Sequence, residues 1–264
     1  MRLCFFMEDR GPGYVHPVMS KVFDLLRARG CTVDWLFPEE RAFSQADFEI
    51  EYDLYVLKSS SPTTFQLGAM ISTMGGRMVN DFLAIQRIKN KVEVNKLLAD
   101  RGVPIPESYL TGDLELLKEV VSTKGPLIVK PYNGRHGVGV EIVRTPEELD
   151  ALELDSDDVY AQAFKPGDGY DRKTYMVGDR AYASRKAFAA GESFLKDAES
   201  MEISPEMRDI ALRCGEIVGL QIYGVDMIES EDGLWVIDVN GFPGFKGLPG
   251  IETVLADYLY DAAR

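Results

Sequence analysis

The chain has 264 residues, 45% of them hydrophobic, with 43 acidic against 29 basic side chains and a net charge of −14. That length buries a substantial core and holds one large domain or two to three small ones. The acidic balance argues against nonspecific nucleic-acid or anionic-membrane binding, which needs a basic footprint, although a locally basic cleft can still take a small anionic substrate.

His16 and His136 are the only histidines, and Cys4, Cys31 and Cys214 are scattered without metal-ligand spacing. Zinc chemistry is therefore not expected, and reduced thiols in a cytoplasmic protein are the simplest account. No run of eighteen apolar residues occurs, and the first strand soon meets Glu8 and Asp9, unlike a signal peptide.

Leu3 to Met7 reads as a strand, followed by a polar turn with Gly11, Pro12 and Gly13. Val18 to Arg29 places Val22, Leu25 and Leu26 at helical spacing and stops at Gly30. Cys31 to Phe37 and Leu54 to Leu57 read as two more strands, so a parallel α/β unit is expected over residues 1–80. Residues 68–76 read as a short helix with a glycine stop.

A second unit begins near Asp81, with Ala84 to Arg101 as one helix ended by Gly102. Pro104 and Pro106 force the next segment to be extended. Leu114 to Ser122 reads as a helix, Leu127 to Lys130 as a buried strand, and Val159 to Phe164 as another strand. Thr145 is the expected cap of a helix opening at Pro146, and Ser204 of a helix from Pro205 to Val218.

The segment Tyr223 to Phe245 carries the densest chemistry. It reads as two apolar strands around an acidic turn, Glu229 to Gly233, with Asp226 in the first strand and Asp238 and Asn240 closing the second. Side chains two apart on a strand share a face, so Asp238 and Asn240 project together, and Asp226 joins them across a hairpin ladder. Two carboxylates and an amide oxygen form a hard-oxygen set suited to Mg²⁺ carrying nucleotide phosphates. Upstream, Ile128 to Val140 is a strand, a polar turn and a return strand, with Gly134, Gly137 and Gly139 letting backbone amides approach an anion and Lys130 at the strand's end. This turn matches neither the Walker pattern nor the dinucleotide glycine fingerprint, and a plain hairpin would look much the same.

Taken in order, Lys91 near a helix start, Arg101-Gly-Val-Pro-Ile-Pro106, Lys130 with its glycine loop, the apolar hinge Tyr160 to Phe164, and the Asp226…Asp238-Val-Asn240 hairpin resemble the ATP-grasp superfamily in its RimK-like ligase branch, over residues 81–250. The resemblance implies an α/β ATP-grasp fold built of α+β subdomains. An N-terminal parallel α/β domain (1–80) would precede a subdomain with the glycine-rich loop (81–162) and one with the Mg-binding hairpin (163–264). It implies ATP between the two subdomains, with Lys91 and Lys130 on the phosphates beneath the loop of Gly134, Gly137 and Gly139. Gln162 and Phe164 would lie at the adenine, with hinge backbone groups hydrogen-bonding it. Asp226, Asp238 and Asn240 would hold Mg²⁺, or Mn²⁺ in its place.

Two departures leave the reaction open. RimK-like ligases carry Glu-x-Asn where this chain has Asp238-Val-Asn240, and an arginine where Lys173 stands; lysine is a point charge and cannot grip an acyl phosphate with two parallel bonds. Both changes, the Phe242-Pro-Gly-Phe245 turn and His136 are similar to the inositol trisphosphate 5/6-kinases. In a carboxylate–amine ligase, Lys130 would neutralise phosphate charge while Lys173 and Arg185 steady an acyl phosphate. In a kinase, Lys173, Arg185 and Lys186 would bind the phosphates of a polyol substrate. The ligase is the first expectation, with a small-molecule substrate, no nucleic-acid or membrane partner, and a homo-oligomer compatible with it. Tyr14, His16 and Lys58 are expected near the acceptor, because they lie at or near the C-terminal ends of the first unit's strands.

Overall fold

A computed structural model describes residues 1–11, 14, 16–131, 141–152, 159–187, 198–245 and 247–264, without the side chains of Lys130 and Pro131. The first unit is a parallel sheet of β1 (Arg2–Phe6), β2 (Thr32–Leu36), β3 (Leu54–Leu57) and β4 (Met78–Val79), in the order β2-β1-β3-β4. Strand β1 is apolar on both faces, as a covered parallel strand requires. Leu3 and Phe5 meet α1 (Pro17–Ala28), while Cys4 and Phe6 meet α2 (Pro62–Thr73) on the other side. The order reverses between β1 and β3, which places a crevice where their C-terminal ends diverge.

Local signals account for most of the helix ends. Ser61 accepts the Thr64 amide at 3.0 Å ahead of Pro62, so α2 starts six residues before the glycine-stopped helix expected at 68–76. The expected single helix over 84–101 is two helices, α3 (Phe82–Lys89) and α4 (Lys91–Asp100). Asn90 is extended (φ −99°, ψ 95°) and its Oδ1 accepts the Glu93 amide at 3.1 Å. Asparagine competes with the helix for its own backbone and caps the next one instead, which makes Lys91 the first residue of α4. Thr145 holds the cap position of its helix without a side-chain cap bond.

The second sheet is antiparallel, with β5 (Ser108–Thr111), β6 (Leu127–Pro131), β7 (Glu141–Val143) and β8 (Val159–Ala163) in the order β5-β8-β6-β7. Val159 and Ala161 pack under α5 (Leu117–Lys124) and α6 (Pro146–Asp150). Alternation then turns Tyr160 and Gln162 to the opposite face.

The third sheet is also antiparallel, with β9 (Tyr170–Val177), β10 (Arg180–Ala187), β11 (Glu199–Met201), β12 (Ile222–Ser230) and β13 (Gly233–Gly241) in the order β11-β10-β9-β12-β13. One face buries Met176, Val225, Met227, Val236 and Val239 under α7 (Pro205–Val218), α3 and α4. Helix α7 is capped by Ser204, which accepts the Met207 amide at 3.1 Å, and ends at left-handed Gly219. On the other face, Tyr175, Val177 and Ile222 join the core of the first unit together with Phe242, Phe245 and α8 (Ile251–Ala262). The helices therefore cross the expected boundaries: α3 and α4 pack into the third sheet's core, and α8 packs on α1. Cys4, Cys31 and Cys214 are buried thiols. Among the described residues no helix is long and apolar enough to cross a membrane.

Candidate active site

The part of the third sheet's inner face that the first unit leaves uncovered carries a row of charges. Lys173, Asp226 and Asp238 stand directly opposite one another on β9, β12 and β13. Side chains so placed have Cβ atoms about 5 Å apart. Lys173 Nζ lies 2.8 Å from Asp226 Oδ1, and Asn240 Nδ2 donates to Asp226 Oδ2 at 3.0 Å. Gly224, opposite Asn240, keeps this floor open: a Cβ there would stand 3.0 Å from Lys173 Cε and 3.3 Å from Pro243 Cγ.

A bulge aims the row. The register pairs Asp226 with Asp238 and then jumps to Met227 with Val236, leaving Ile237 over. Val236 and Val239, three residues apart, consequently both enter the core under α7, while Asp238 and Asn240 share the open face with Asp226. A bulge that re-aims side chains is a recurrent device beside active sites.

Burial pushes the Asp226 carboxyl up, and the neighbouring Asp238 adds to this against the opposing pull of Lys173. For Lys173 burial acts downward, but the attraction of Asp226 outweighs it and the ammonium is held above its ordinary range. Asp171 lies on the same face two residues before Lys173; burial and the charge of Asp226 raise its carboxyl, with Lys186 and Lys173 pulling the other way.

The second sheet faces this row across a cleft. Lys91 Nζ at the start of α4 is 3.7 Å from Asp238 Oδ1. Asn95, one turn further on, donates to the Tyr160 hydroxyl. Tyr160 donates in turn to Ser108 Oγ at 2.9 Å, and Gln162 Nε2 reaches the same oxygen at 3.3 Å. Burial raises the Tyr160 hydroxyl's pKa and the charge of Asp238 across the cleft adds to it. Lys130 sits opposite Tyr160 in the ladder, its side chain outside the described residues. Gly134, Gly137, Gly139 and His136 also lie outside the described residues.

The expected hinge contact changes in one respect. The Ala163 amide donates to Glu107 O at 2.8 Å and the half-buried Phe164 amide to Pro126 O at 2.9 Å. These two N–H groups are committed within the protein, so neither is left to bond a base. Just beyond, Lys165 Nζ is 2.8 Å from Asp232 Oδ2 and 3.6 Å from the Trp235 ring centre, clamping the hinge to the β12–β13 turn.

Arg185 does not join the row. It pairs with Arg172 on β9 and Glu199 on β11, reaches the Glu199 carboxylate at 3.6 Å, and lies 5.1 Å over the Tyr170 ring. Alternation along β10 gives it the side of buried Ala183, opposite to Lys173. Lys186, opposite Asp171, takes the position on the open face instead. The burial of Ala183 sets these faces, and Asp171 is the further polar residue that the register adds.

Two carboxylates and an amide oxygen on one face fit a hard cation. Asp226 is engaged by Lys173 and by the amide nitrogen of Asn240, which leaves Asp238 and the Asn240 oxygen as the foremost donors. Among the described residues no cluster of three or more His, Cys, Asp or Glu stands ready for a metal.

Tyr14, His16 and Lys58 gather at the crevice of the first sheet. Lys58 Nζ is 5.6 Å from the Phe242 ring centre, and His16 Nε2 is 4.0 Å from where a Cβ on Gly244 would lie. The crevice therefore adjoins the turn that directly follows Asn240.

Comparison with known proteins agrees with this geometry. The sequence profile of the RimK-like ATP-grasp domain matches residues 88–259. A probable alpha-L-glutamate ligase of Shewanella loihica is 27% identical over 214 residues, covering 75% of this chain and 71% of that protein. The ATP-grasp ligase PsnB, complexed with the precursor peptide PsnA2 and AMPPNP, superposes with a TM-score of 0.74 at 22% identity over 99% of this chain and 97% of its own. The same ligase with minimal precursor, Mg and ADP gives 0.73. A RimK domain ATP-grasp protein from Sphaerobacter thermophilus gives 0.77 at 19% identity, over 100% of this chain and 99% of its own.

Proposed function

The chain belongs to the RimK-like ATP-grasp family and is an ATP-dependent carboxylate–amine ligase, and from this premise we propose how its own residues divide the work. Glutamate ligases and ATP-grasp ligases as relatives favour this reaction over phosphorylation of a polyol, the alternative that Asp238 and Lys173 had kept open. ATP and Mg²⁺ are its cofactors, and Mn²⁺ is proposed to substitute.

The reading rests above all on the row Lys173–Asp226–Asp238 facing Lys91 and Tyr160 across the cleft. In it, the subdomains 81–162 and 163–264 clasp the nucleotide. Lys91 and Lys130 neutralise its phosphates, Gln162 and Phe164 border its base, and the loop of Gly134, Gly137 and Gly139 covers it. Asp238 and Asn240, supported by Asp226, would hold Mg²⁺, which would supply Lewis-acid neutralisation of phosphate charge. A substrate carboxylate oxygen attacks the γ-phosphorus, ADP leaves, and an acyl phosphate forms. Its carbonyl carbon is then attacked by an amine nitrogen, and inorganic phosphate departs. The attraction of Asp226 favours the charged ammonium of Lys173, which with Lys186 balances the anionic intermediate.

The carboxylate substrate is a small molecule or a peptide end, and the buried reduced thiols suit a cytoplasmic setting. Phosphorus NMR of the protein with MgATP, carboxylates and amines tests the reaction. Release of ADP and free phosphate that needs both a carboxylate and an amine is the expected result. A new phosphate-ester resonance without free phosphate would overturn it.

A further inference from the structure

The crevice at the C-terminal ends of β1, β2 and β3 has a composition of its own. Met19 and Phe23 on α1 and Trp35 and Phe37 at the end of β2 line it. The rings of Trp35 and Phe37 meet edge to face at 5.3 Å, yet Trp35 stays 48% exposed. A half-exposed indole set on a second ring, beside methionine and phenylalanine, presents an apolar surface that a planar group would cover. The place is one where open α/β sheets bind ligands, since the strand order reverses between β1 and β3.

Its charged lining residues are Glu8, Arg10, His16 and Lys58. His16 and Lys58 stand against the Phe242–Gly244 turn that follows Asn240. Arg10 is neutralised by Glu8 through contacts of 2.8 and 2.7 Å. Against the methionine and phenylalanine side chains an acidic group would give up hydration that an aromatic ring does not need. A carboxylate beside Lys58 would lie near Phe242, in the turn that follows Asn240.

We propose that this crevice takes the aromatic side chain of the carboxylate substrate, leaving its carboxylate beside Lys58. The proposal rests on the ligase reading and narrows its substrate class to an aromatic amino acid or a peptide ending in one. It sets this chain apart from relatives named for glutamate.

The test is steady-state ADP release with MgATP, a fixed amine mixture, and carboxylates that differ only in side chain. Phenylalanine, tryptophan and glutamate, free and at the C-terminus of a dipeptide, make up the panel. The aromatic acids are expected to exceed glutamate at least tenfold in kcat/KM. Trp35→Ser, at an exposed position, should raise KM for the aromatic acids at least fivefold and leave kcat and nucleotide affinity unchanged, so that the preference over glutamate collapses. Lys58→Met should raise KM for every carboxylate alike. Equal or better turnover of glutamate, or an unchanged aromatic KM in Trp35→Ser, overturns the pocket assignment while ligation itself stands. ADP release that needs no carboxylate at all removes the ligase reading, and this proposal with it.

Discussion

Lys173 Nζ and Asp226 Oδ1 lie 2.8 Å apart on neighbouring strands, with both side chains mostly shielded from solvent. Under the proposed function the pair is functional as well as structural, because Asp226 favours the charged ammonium beside the carboxylate proposed to hold Mg²⁺. Lys173→Met is expected to cost about 1–2 kcal/mol of stability, by leaving a mostly buried carboxylate unpaired, and at least about 100-fold in kcat. Lys173→Arg should recover most of kcat, since a guanidinium supplies the same charge with a bidentate grip. Thermal melts and ADP release measured on the two variants separate the effects; equal losses in both would leave charge without a role.

Asp238 is exposed enough to be changed without disturbing the core, its side chain retaining 35% of its accessible surface. Asp238→Asn should therefore melt close to the parent while the Mg²⁺ concentration for half-maximal activity rises at least tenfold, since one carboxylate fewer faces the cation. An unchanged Mg²⁺ requirement would move the metal elsewhere.

The opposite faces of Arg185 and Lys186 make a paired test. Lys186→Met should lower kcat/KM by about 100-fold or more, through loss of a cation near the acyl phosphate. Arg185→Met should stay within about threefold of the parent, because its partner is a surface carboxylate. The reverse order in ADP-release kinetics would contradict the role given to Lys186.

Asn80 ties the first unit to the third sheet. Its Nδ2 donates to Ile222 O at 2.7 Å, and its Oδ1 accepts the amides of Gln221 and Ile222 at 2.8 and 2.7 Å, all fully buried at the asparagine. Asn80→Ala removes the acceptor of the Gln221 and Ile222 amides and one of the two donors to Ile222 O, and is expected to cost about 3 kcal/mol. Urea unfolding read by tryptophan fluorescence gives the number, and a loss below about 1 kcal/mol would mean that water replaces the amide.

Arg172, only 11% exposed, grips Asp168 with contacts of 2.9 and 2.6 Å. These hydrogen bonds hold the Asp168 carboxyl below its ordinary range. A carboxyl depressed in the folded state adds stability above its unfolded pKa of about 4, and that stability is lost as the pH falls through the folded value. Asp168→Asn should therefore melt below the parent at pH 7 by the equivalent of about 1 kcal/mol, with the gap closing as the pH falls below the unfolded pKa of about 4. A gap that does not depend on pH would point to packing instead of charge.

The amino-acid sequence by itself determined the order of elements that carries the candidate site: a lysine opening a helix, a strand lysine, a hinge, and the hairpin with Asp226, Asp238 and Asn240. Short-range physics suffices there, since a serine before a proline caps α7 and alternation pairs Asp238 with Asn240. Tertiary structure decided which faces those residues share. Period-two alternation cannot say which side meets a core, so Arg185 and Lys186 were interchangeable until Ala183 was buried against α7. Nor can it reveal that Ile237 is left out of the ladder, because a bulge depends on what both strands must bury. Asn90 splits one apparent helix by capping its second half, and Asn80 finds its partners 141 and 142 residues away. Local propensity is written in the sequence within a turn or two, whereas burial and cross-strand register are properties of segments that meet only when the chain has folded.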